Sequence, residues 1–251
     1  MNLVIDIGNT FVKTAVFNGT ELSSFSSFEK FSADILKELL AKNSFVKNAI
    51  LSSVTNHDKS ISEFLKSKYF FIELSEATKI PIENLYQSQP TLGKDRLACA
   101  VGANSLFQNQ NVLSVDAGTC IKYDFVNSKN QYLGGGISPG IEMRFKALNQ
   151  FTDKLPLLSY KQFDKLIGEN PDESILSGVM NGAAEEVRGI IGRYKQQYPE
   201  LKVVFTGGYM KFFERIFNPD KIGSAKENSN IFADSFLVLK GLNQILNFNE
   251  K

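Results

Sequence analysis

The sequence contains no tryptophan, one histidine and two cysteines among its 251 residues. The cysteines, Cys99 and Cys120, form no CxxC pair, and with a single histidine they fit neither a disulfide framework nor a zinc site. We expect both thiols to be small core residues. We expect His57, in VTNHDKS, to be solvated in a loop or at a helix start.

The sequence also has almost no net charge. Lysine and arginine total 28 against 27 aspartates and glutamates, so the net charge is +1. This balance excludes the broad positive field that drives general nucleic-acid binding, and any bound anion must be held locally. No run approaches the ~20 apolar residues of a membrane span, and Asp6 and Lys13 interrupt the apolar start that a signal peptide would need. We therefore expect a soluble, cytoplasmic protein without membrane or nucleic-acid partners.

The apolar pattern predicts a mixed α/β chain. Strands are predicted at 2–7, 11–17 and 20–27, joined into a meander by turns at Gly8-Asn9-Thr10 and Asn18-Gly19. Further elements are predicted in this order: a helix at 32–43, a strand at 47–53, a helix at 58–68, a strand at 69–73, a helix within 91–107, a helix at 178–198, a strand at 201–208 and a closing helix at 234–247.

The strand, acidic turn and strand of residues 3–19 recur at 111–128, about 110 residues later. Two apolar hairpins can look alike by chance, but shared Asp, Gly, Thr and Lys favour a duplication. We predict two duplicated α/β domains with mixed sheets around a central cleft, at residues 1–108 and 109–251. The matching positions are Asp6 and Asp116, Gly8 and Gly118, and, after a one-residue deletion in the turn, Lys13 and Lys122.

Glycine-containing turns are predicted at residues 6–13, 116–119, 134–140 and 206–208. Glycine lets backbone N–H groups approach phosphate oxygens, while Thr10 and Thr119 add hydroxyl donors and Lys13 adds a cation. None of the turns matches a P-loop or a dinucleotide fingerprint, and each alone is also typical of an ordinary hairpin. Asp6 and Asp116 at matching turns suit a nucleotide with Mg²⁺, although a local Asx-turn explains either carboxylate taken alone.

Asp95 and Arg96 in GKDR, residues 93–96, lie at or just before a predicted helix start. Asp95 is therefore either a helix N-cap or a proton acceptor for a substrate hydroxyl that attacks a γ-phosphoryl group. In the second interpretation, Arg96 holds an anionic part of the substrate or transition state. The residues alone leave both interpretations open.

Five motifs together resemble the type III pantothenate kinases of the acetate kinase, sugar kinase, Hsp70 and actin superfamily: DIGNT with Lys13, GKDR, DAGT at 116–119, GGGISPG at 134–140 and TGG at 206–208. The resemblance implies actin-like, ribonuclease H-like domains. It implies ATP-dependent phosphorylation of pantothenate at its terminal hydroxyl to 4'-phosphopantothenate, the first step of coenzyme A biosynthesis. It also implies ATP with Mg²⁺, a requirement for potassium or ammonium, and a homodimer.

The resemblance assigns roles residue by residue. Asp95 is implied as the proton acceptor, Asp116 as the monovalent-cation ligand and Asp6 as the carboxylate that serves the metal-bound nucleotide. The implied ATP contacts are Asp6, Ile7, Gly8, Asn9, Thr10, Phe11, Val12, Lys13, Thr119, Thr206, Gly207 and Gly208. The implied pantothenate contacts are Tyr86, Gly93, Lys94, Asp95, Arg96 and, at a position where the family usually has threonine, Pro171.

Pro171 departs from the family pattern, because this chain reads GENPDES where the family usually has a stretch like GxNTxEA. Proline offers neither a hydroxyl nor an N–H to a substrate, so pantothenate is held less tightly there or Ser174 or another group compensates. Two alternatives stay open. One is a kinase or phosphatase acting on another small molecule, and the other is a regulatory protein that acts by binding.

Overall fold

The computed structural model describes residues 1–217 and 230–250. The strands are β1 (Asn2–Ile7), β2 (Val12–Asn18), β3 (Glu21–Phe28), β4 (Asn48–Ser53), β5 (Phe70–Glu73), β6 (Glu83–Asn84), β7 (Val112–Ala117), β8 (Cys120–Val126), β9 (Gln131–Pro139), β10 (Lys202–Thr206) and β11 (Ile231–Ala233). The helices are α1 (Ala33–Lys42), α2 (Lys59–Lys68), α3 (Lys94–Leu106), α4 (Ile141–Gln150), α5 (Pro171–Gln197), α6 (Met210–Phe217) and α7 (Leu237–Asn249).

The chain divides into two compact units that do not follow the sequence order. The first unit contains Met1–Asn109, Val126–Gly134 and Phe236–Lys251, and the second contains Gln110–Phe125 and Gly135–Ser235. The closing helix, which the sequence analysis placed in the second domain, thus lies in the first unit as α7. The domain boundary predicted between residues 108 and 109 stays a prediction.

The sheet of the first unit has the strand order β3-β2-β1-β4-β5. Strands β1, β2 and β3 form the predicted antiparallel meander, while β4 pairs in parallel with β1 and β5 in parallel with β4. Alternate residues of β1, including Leu3 and Ile5, enter a core with Leu36 of α1 and Leu65 of α2. The intervening residue Val4 is fully buried as well, because β1 is covered on both faces.

Buried asparagines join the other face of this sheet to α7. The side-chain amide of Asn2 donates to Oδ1 of Asn243 at 2.8 Å and to Oδ1 of Asn247 at 2.7 Å, and Asn48 donates to Asn2 at 2.9 Å. Asn243 in turn donates to the carbonyl of Gly19 at 2.8 Å. Because buried amides are costly unless paired, this network favours one position of α7 on β1 and β4.

Helices α3 and α7 pack with their backbones in close approach. A Cβ atom added to Gly241 would overlap the carbonyl of Ala98, and one added to Gly102 would overlap the carbonyl of Leu237. The small residues of α3, which include Ala98 and Ala103, are fully buried. Helix backbones can approach this closely only where glycines lie at the crossing. Because α3 is held against α7 in this way, its first turn is held in place as well.

The second sheet has the order β11-β10-β7-β8-β9-β6. Strand β10 pairs in parallel with β7 on one side and with β11 on the other, and β6 pairs in parallel with the first residues of β9. Within the second unit, the apolar face of α5 packs in a core with β7 and β10, through residues such as Val187, Leu113 and Val203. The strand, turn and strand predicted to recur are confirmed as β7 and β8.

The α/β class with mixed sheets is confirmed, and most predicted elements differ from the observed ones by one or two residues. Two predictions were wrong. Gly134-Gly135-Gly136 lies within strand β9 and not in a turn, because its glycines allow a close approach: a Cβ at Gly135 would overlap the backbone of Tyr123. The long helix begins at Pro171 and not at 178, since Asn170 caps it by accepting from the N–H of Glu173 at 3.0 Å. The sequence analysis also missed β6, β11, α4 and α6.

None of the described helices is both long and apolar enough to cross a lipid bilayer.

We predict that Gly241→Ala destabilises the protein by roughly 1–3 kcal/mol, because the added methyl group forces α7 away from α3. Gly189→Ala in α5 is the matched control, since an added Cβ there meets nothing within 4 Å; we expect it to stabilise by about 0.5–1 kcal/mol. Urea denaturation of both variants measures the difference. Equal effects of the two substitutions would show that the helices do not pack as described.

Candidate functional site

The first glycine turn connects β1 to β2 at the carboxyl end of β1. Asp6 is partly buried and pairs in register with Lys13 across the two strands. The N–H of Gly8 donates to the carbonyl of Phe11 at 3.1 Å, which closes the turn. The turn borders a cavity of about 340 Å³ that is lined by residues 7–12, 29–31, 55–58 and 61. A polar turn with exposed Asn9 and Thr10 therefore faces open space.

Ser52 on β4 lies next to Asp6, because the two are in register in the parallel pair of β1 and β4. The Ser52 side chain is fully buried, and among the described residues its hydroxyl has no hydrogen-bond partner. Such a buried hydroxyl without a partner is uncommon in proteins. Ser52 was not predicted as a site residue, because its only signal in the sequence is a polar residue at the end of the apolar run in KNAILSS.

The GKDR motif forms the start of α3. Gly93 is the N-cap, Lys94 is the first helical residue and Asp95 is the second. The interpretation of Asp95 as an N-cap was therefore wrong. Its Oδ1 atom accepts from the N–H of Arg96 at 2.9 Å, where the positive end of the helix stabilises a carboxylate.

Arg96 and Tyr86 lie together beside this helix start. Arg96 is 6% exposed, and its guanidinium carbon lies 5.6 Å from the centroid of the Tyr86 ring. The Tyr86 ring in turn packs on Gly134, where an added Cβ would come within 3.0 Å of it. The structure thus brings the predicted substrate residues Tyr86, Asp95 and Arg96 together in the first unit.

The second unit brings two further motifs to one edge of its sheet. Strands β7 and β10 are parallel neighbours in which Thr206 pairs with Asp116, so the DAGT and TGG motifs both follow adjacent strand ends. Gly207 has a φ of +90°, and a Cβ on it would come within 2.6 Å of the Ala117 carbonyl oxygen. Glycine is required here because this backbone conformation and this close contact both exclude a side chain.

Asp116 is paired with a lysine. The Nζ atom of Lys122 lies 2.8 Å from Oδ2 of Asp116, and the two side chains are only 16% and 14% exposed. The lysine comes from β8 and reaches back to the end of β7. Sequence comparison of the repeats had matched Lys122 with Lys13 but had not predicted this ion pair.

The loop that carries Thr119 is supported from the start of α4. The N–H of Gly140 donates to the Thr119 carbonyl at 3.2 Å, and a Cβ on Gly140 would come within 2.8 Å of that carbonyl carbon. Arg144 on α4 donates from Nε to the Pro139 carbonyl at 2.9 Å and from Nη2 to Glu186 at 2.5 Å. The position of Thr119 therefore depends on residues of the GGGISPG motif and on α5.

Glu186 is the centre of a polar cluster. Besides Arg144, it accepts from Ser138 at 2.5 Å and from Tyr123 at 3.2 Å. Burial acts to raise the pKa of the Glu186 carboxyl, but the hydrogen bonds from Arg144 and Ser138 and the charge of Arg144 outweigh it, so the pKa lies below its usual value. Burial, reinforced by the charge of Glu186, raises the pKa of Tyr123 above its usual value.

Three expectations about single residues need correction or qualification. His57 is not solvated, because its side chain is 16% exposed and its Nε2 atom lies 3.2 Å from Ser62 Oγ and 3.7 Å from Glu73 Oε1. Cys99 is buried as expected, but Cys120 is only partly buried and its thiol donates to the sulfur of Met143 at 3.8 Å. Pro171 occupies the first helical position of α5, where a missing N–H does no harm.

Solved structures of other proteins show which fold this chain has. The activator of 2-hydroxyisocaproyl-CoA dehydratase from Clostridium difficile, solved with bound ADPNP, has a TM-score of 0.54 at 14% identity, and 98% of this chain and 93% of that chain are covered. A candidate sugar kinase from Cytophaga hutchinsonii has a TM-score of 0.52 at 14% identity over the full length of both chains. The fold is that of the actin-like ATPases and sugar kinases.

Sequence relatives identify the family. The sequence model of the type III pantothenate kinases matches residues 2–193. The type III pantothenate kinase of Christiangramia forsetii is 43% identical over 251 residues, which cover 100% of this chain and 99% of the relative. That of Phocaeicola vulgatus is also 43% identical, with both chains covered in full. This chain belongs to the type III pantothenate kinase family.

We predict that the Arg144–Glu186 pair makes stability depend on acid pH. A carboxyl with a lowered folded-state pKa stabilises the folded protein above its ordinary value of 4.5, and that contribution is lost as the pH falls through the folded-state pKa. Glu186→Gln should therefore be about 1–3 kcal/mol less stable than the natural protein at pH 7. Chemical denaturation should show this difference shrinking below pH 4.5; a constant difference down to pH 3 would contradict the prediction.

Proposed function

We propose that this protein phosphorylates pantothenate at its terminal hydroxyl with ATP, forming 4'-phosphopantothenate in the first step of coenzyme A biosynthesis. The observation that carries the proposal is the full-length match to type III pantothenate kinases. The five motifs through which the sequence resembles this family are supporting evidence. Kinases of this family use ATP with a divalent metal. The proposed roles of individual residues follow from where each motif lies.

On the nucleotide side, we assign phosphate contacts to the turn of residues 6–13, with its backbone N–H groups, the Thr10 hydroxyl and the Lys13 ammonium. Thr119 and residues 206–208 are assigned to further contacts with ATP. The second assignment is supported by Gly207, where a side chain would collide with the backbone of Ala117. At Gly8 in the first turn, an added Cβ would lie 3.1 Å from the Phe11 carbonyl oxygen, which is a tight contact.

Magnesium suits the residues at the end of β1. Within residues 1–217 and 230–250, no three His, Cys, Asp or Glu side chains gather around a possible metal position. Mg²⁺ usually takes one or two carboxylates together with phosphate oxygens and waters, so Asp6 would hold it jointly with the nucleotide. The fully buried Ser52 hydroxyl in register with Asp6 supports a polar ligand at this point. The bound ion would neutralise negative charge on the transferring phosphoryl group.

On the acceptor side, Asp95 accepts the proton of the pantothenate hydroxyl as the oxygen attacks the γ-phosphorus. The Arg96 N–H donates to the Asp95 carboxylate, which lies in the first turn of α3 at the positive end of the helix. Arg96 binds the carboxylate of pantothenate, and the Tyr86 ring packs against its guanidinium. Phosphoryl transfer needs alignment more than a strong base, so one carboxylate in this position is sufficient.

A second candidate substrate is suggested by Pro171. Because the proline lacks the hydroxyl that the family usually offers there, another small hydroxylated metabolite is the alternative acceptor. Asn170, which caps α5, and Ser174 are the neighbouring groups that can compensate in pantothenate binding. A substrate panel separates the two candidates.

The resemblance to the family also supports two further proposals. One is a monovalent positive charge at Asp116 that assists nucleotide binding; the family pattern implies potassium or ammonium as its source. The other is a homodimer. It is supported by large apolar side chains that are mostly exposed in the second unit, namely Phe151, Leu166 and Ile167, since a dimer interface would bury such side chains.

The enzyme is predicted to phosphorylate pantothenate in a coupled ATP assay with potassium present, and Asp95→Asn is predicted to lower kcat by about 10²-fold or more while ATP affinity stays unchanged. Asp34→Asn is the matched control, because Asp34 is likewise the second residue of its helix but is highly exposed. It should keep natural turnover.

Two results would overturn these assignments. Turnover of a sugar or hydroxy acid from the panel with none of pantothenate would favour the alternative substrate. If Asp95→Asn phosphorylates pantothenate at the natural rate, Asp95 is not the proton acceptor and has only a structural role in the first turn of α3.

Sedimentation of the full chain tests the homodimer. We expect a dimer at micromolar concentration, and Ile167→Ser should shift the population towards monomer because it places a polar group at the proposed interface. Ser128→Ala, an exposed change in the first unit, serves as the control. A monomer at all concentrations would refute the proposed dimer.

A further inference from the structure

We propose that the ammonium group of Lys122 supplies the monovalent positive charge at Asp116, so that the enzyme works without added potassium or ammonium. This inference rests on the proposed function, because it concerns the charge proposed at that carboxylate. It names a source for the charge within the chain itself. The ion pair between Lys122 and Asp116 is the observation that carries it.

The geometry of the pair suits a built-in cation. Nζ of Lys122 lies 2.8 Å from Oδ2 of Asp116, which is a direct charge-assisted contact. With side chains only 16% and 14% exposed, the pair is screened much less than an ion pair on the surface. An alkylammonium group carries the same single charge as ammonium and offers three N–H donors. It can therefore occupy the place of an ammonium ion.

Other groups close to Asp116 are in contact with the protein itself. Oδ1 of Asp116 lies against Gly207, where an added Cβ would stand 2.5 Å from it. The Ala117 carbonyl accepts from the N–H of Tyr209 at 2.9 Å, and the Thr119 carbonyl accepts from the N–H of Gly140 at 3.2 Å. A potassium ion here would also be repelled by the ammonium of Lys122 at close range. Potassium and Lys122 are thus alternatives at this carboxylate.

The sequence repeat suggests a competing role for Lys122. Lys13, its counterpart, is assigned to the phosphates of ATP and pairs in register with Asp6. If Lys122 also contacted phosphate, its loss would weaken nucleotide binding in every salt. If Lys122 replaces an ion, its loss should weaken binding only where no suitable ion is present. The two roles therefore differ in one measurable quantity, the response of the variant to potassium.

The first experiment needs no variant. Calorimetry gives the Kd of a non-hydrolysable ATP analogue with Mg²⁺, in sodium buffer and in potassium buffer, for the natural full-length chain. We expect the two values to agree within about twofold, because the charge is already in place. A Kd that is about tenfold or more weaker in sodium would overturn the proposal.

The second experiment uses Lys122→Met, which keeps the length of the side chain and removes its charge. We expect its nucleotide Kd to weaken by about tenfold in sodium and to recover to within about threefold of the natural value in potassium or ammonium. Lys122→Arg retains the charge and should stay insensitive to the choice of salt. Lys129→Met, an exposed lysine in the turn after β8, is the matched control and should behave like the natural protein.

Equal weakening of Lys122→Met in sodium and potassium would overturn the proposal in favour of the phosphate-contact role. Urea denaturation of each variant shows whether it is folded, and the salt comparison on the natural chain decides the question if Lys122→Met does not fold. The proposed function has a separate test. If the protein phosphorylates pantothenate in no salt, the proposed function is wrong, while the nucleotide Kd still tests the role of Lys122.

Discussion

Parallel pairing of neighbouring strands is the constraint on which the candidate site depends. Parallel strands end at the same edge of a sheet, so motifs that follow adjacent strands are brought side by side although they are far apart in sequence. In the first unit this pairing puts Ser52 next to Asp6, and in the second it puts Thr206 next to Asp116. The glycines after these strands then let the backbone turn without a side chain in the way. The residues proposed to bind the nucleotide in each unit therefore lie at or just after these strand ends.

The acceptor residues depend on helix packing instead. Helix α3 lies against α7 through Gly102 and Gly241, and α7 is held on the sheet by the asparagine network around Asn2. The first turn of α3 carries Asp95, whose carboxylate is held by the N–H of Arg96. Gly241, late in the sequence, thus supports the helix that carries Asp95, the proposed proton acceptor. For this reason α7 belongs to the first compact unit in spite of its place in the sequence.

Local patterns predicted most of the strands and helices, because alternating apolar residues and helical stripes are properties of short segments. They also predicted which motifs lie at strand ends. The misses have a common cause in tertiary contacts: Gly135 was taken for a turn residue because its close approach to Tyr123 cannot be seen in the sequence. The ion pair of Lys122 with Asp116 and the burial of His57 depend likewise on neighbours from other strands and helices. The family resemblance supplied the substrate, which no local pattern specified.

The central claim is that this chain transfers the γ-phosphoryl group of ATP to the terminal hydroxyl of pantothenate. Phosphorus NMR of a mixture of the full-length protein with ATP, Mg²⁺ and pantothenate tests it most directly. The account predicts that the γ-phosphorus signal of ATP is replaced by the signal of a phosphomonoester on pantothenate, in equal amount to the ADP formed. Consumption of ATP with only inorganic phosphate as the product would contradict it.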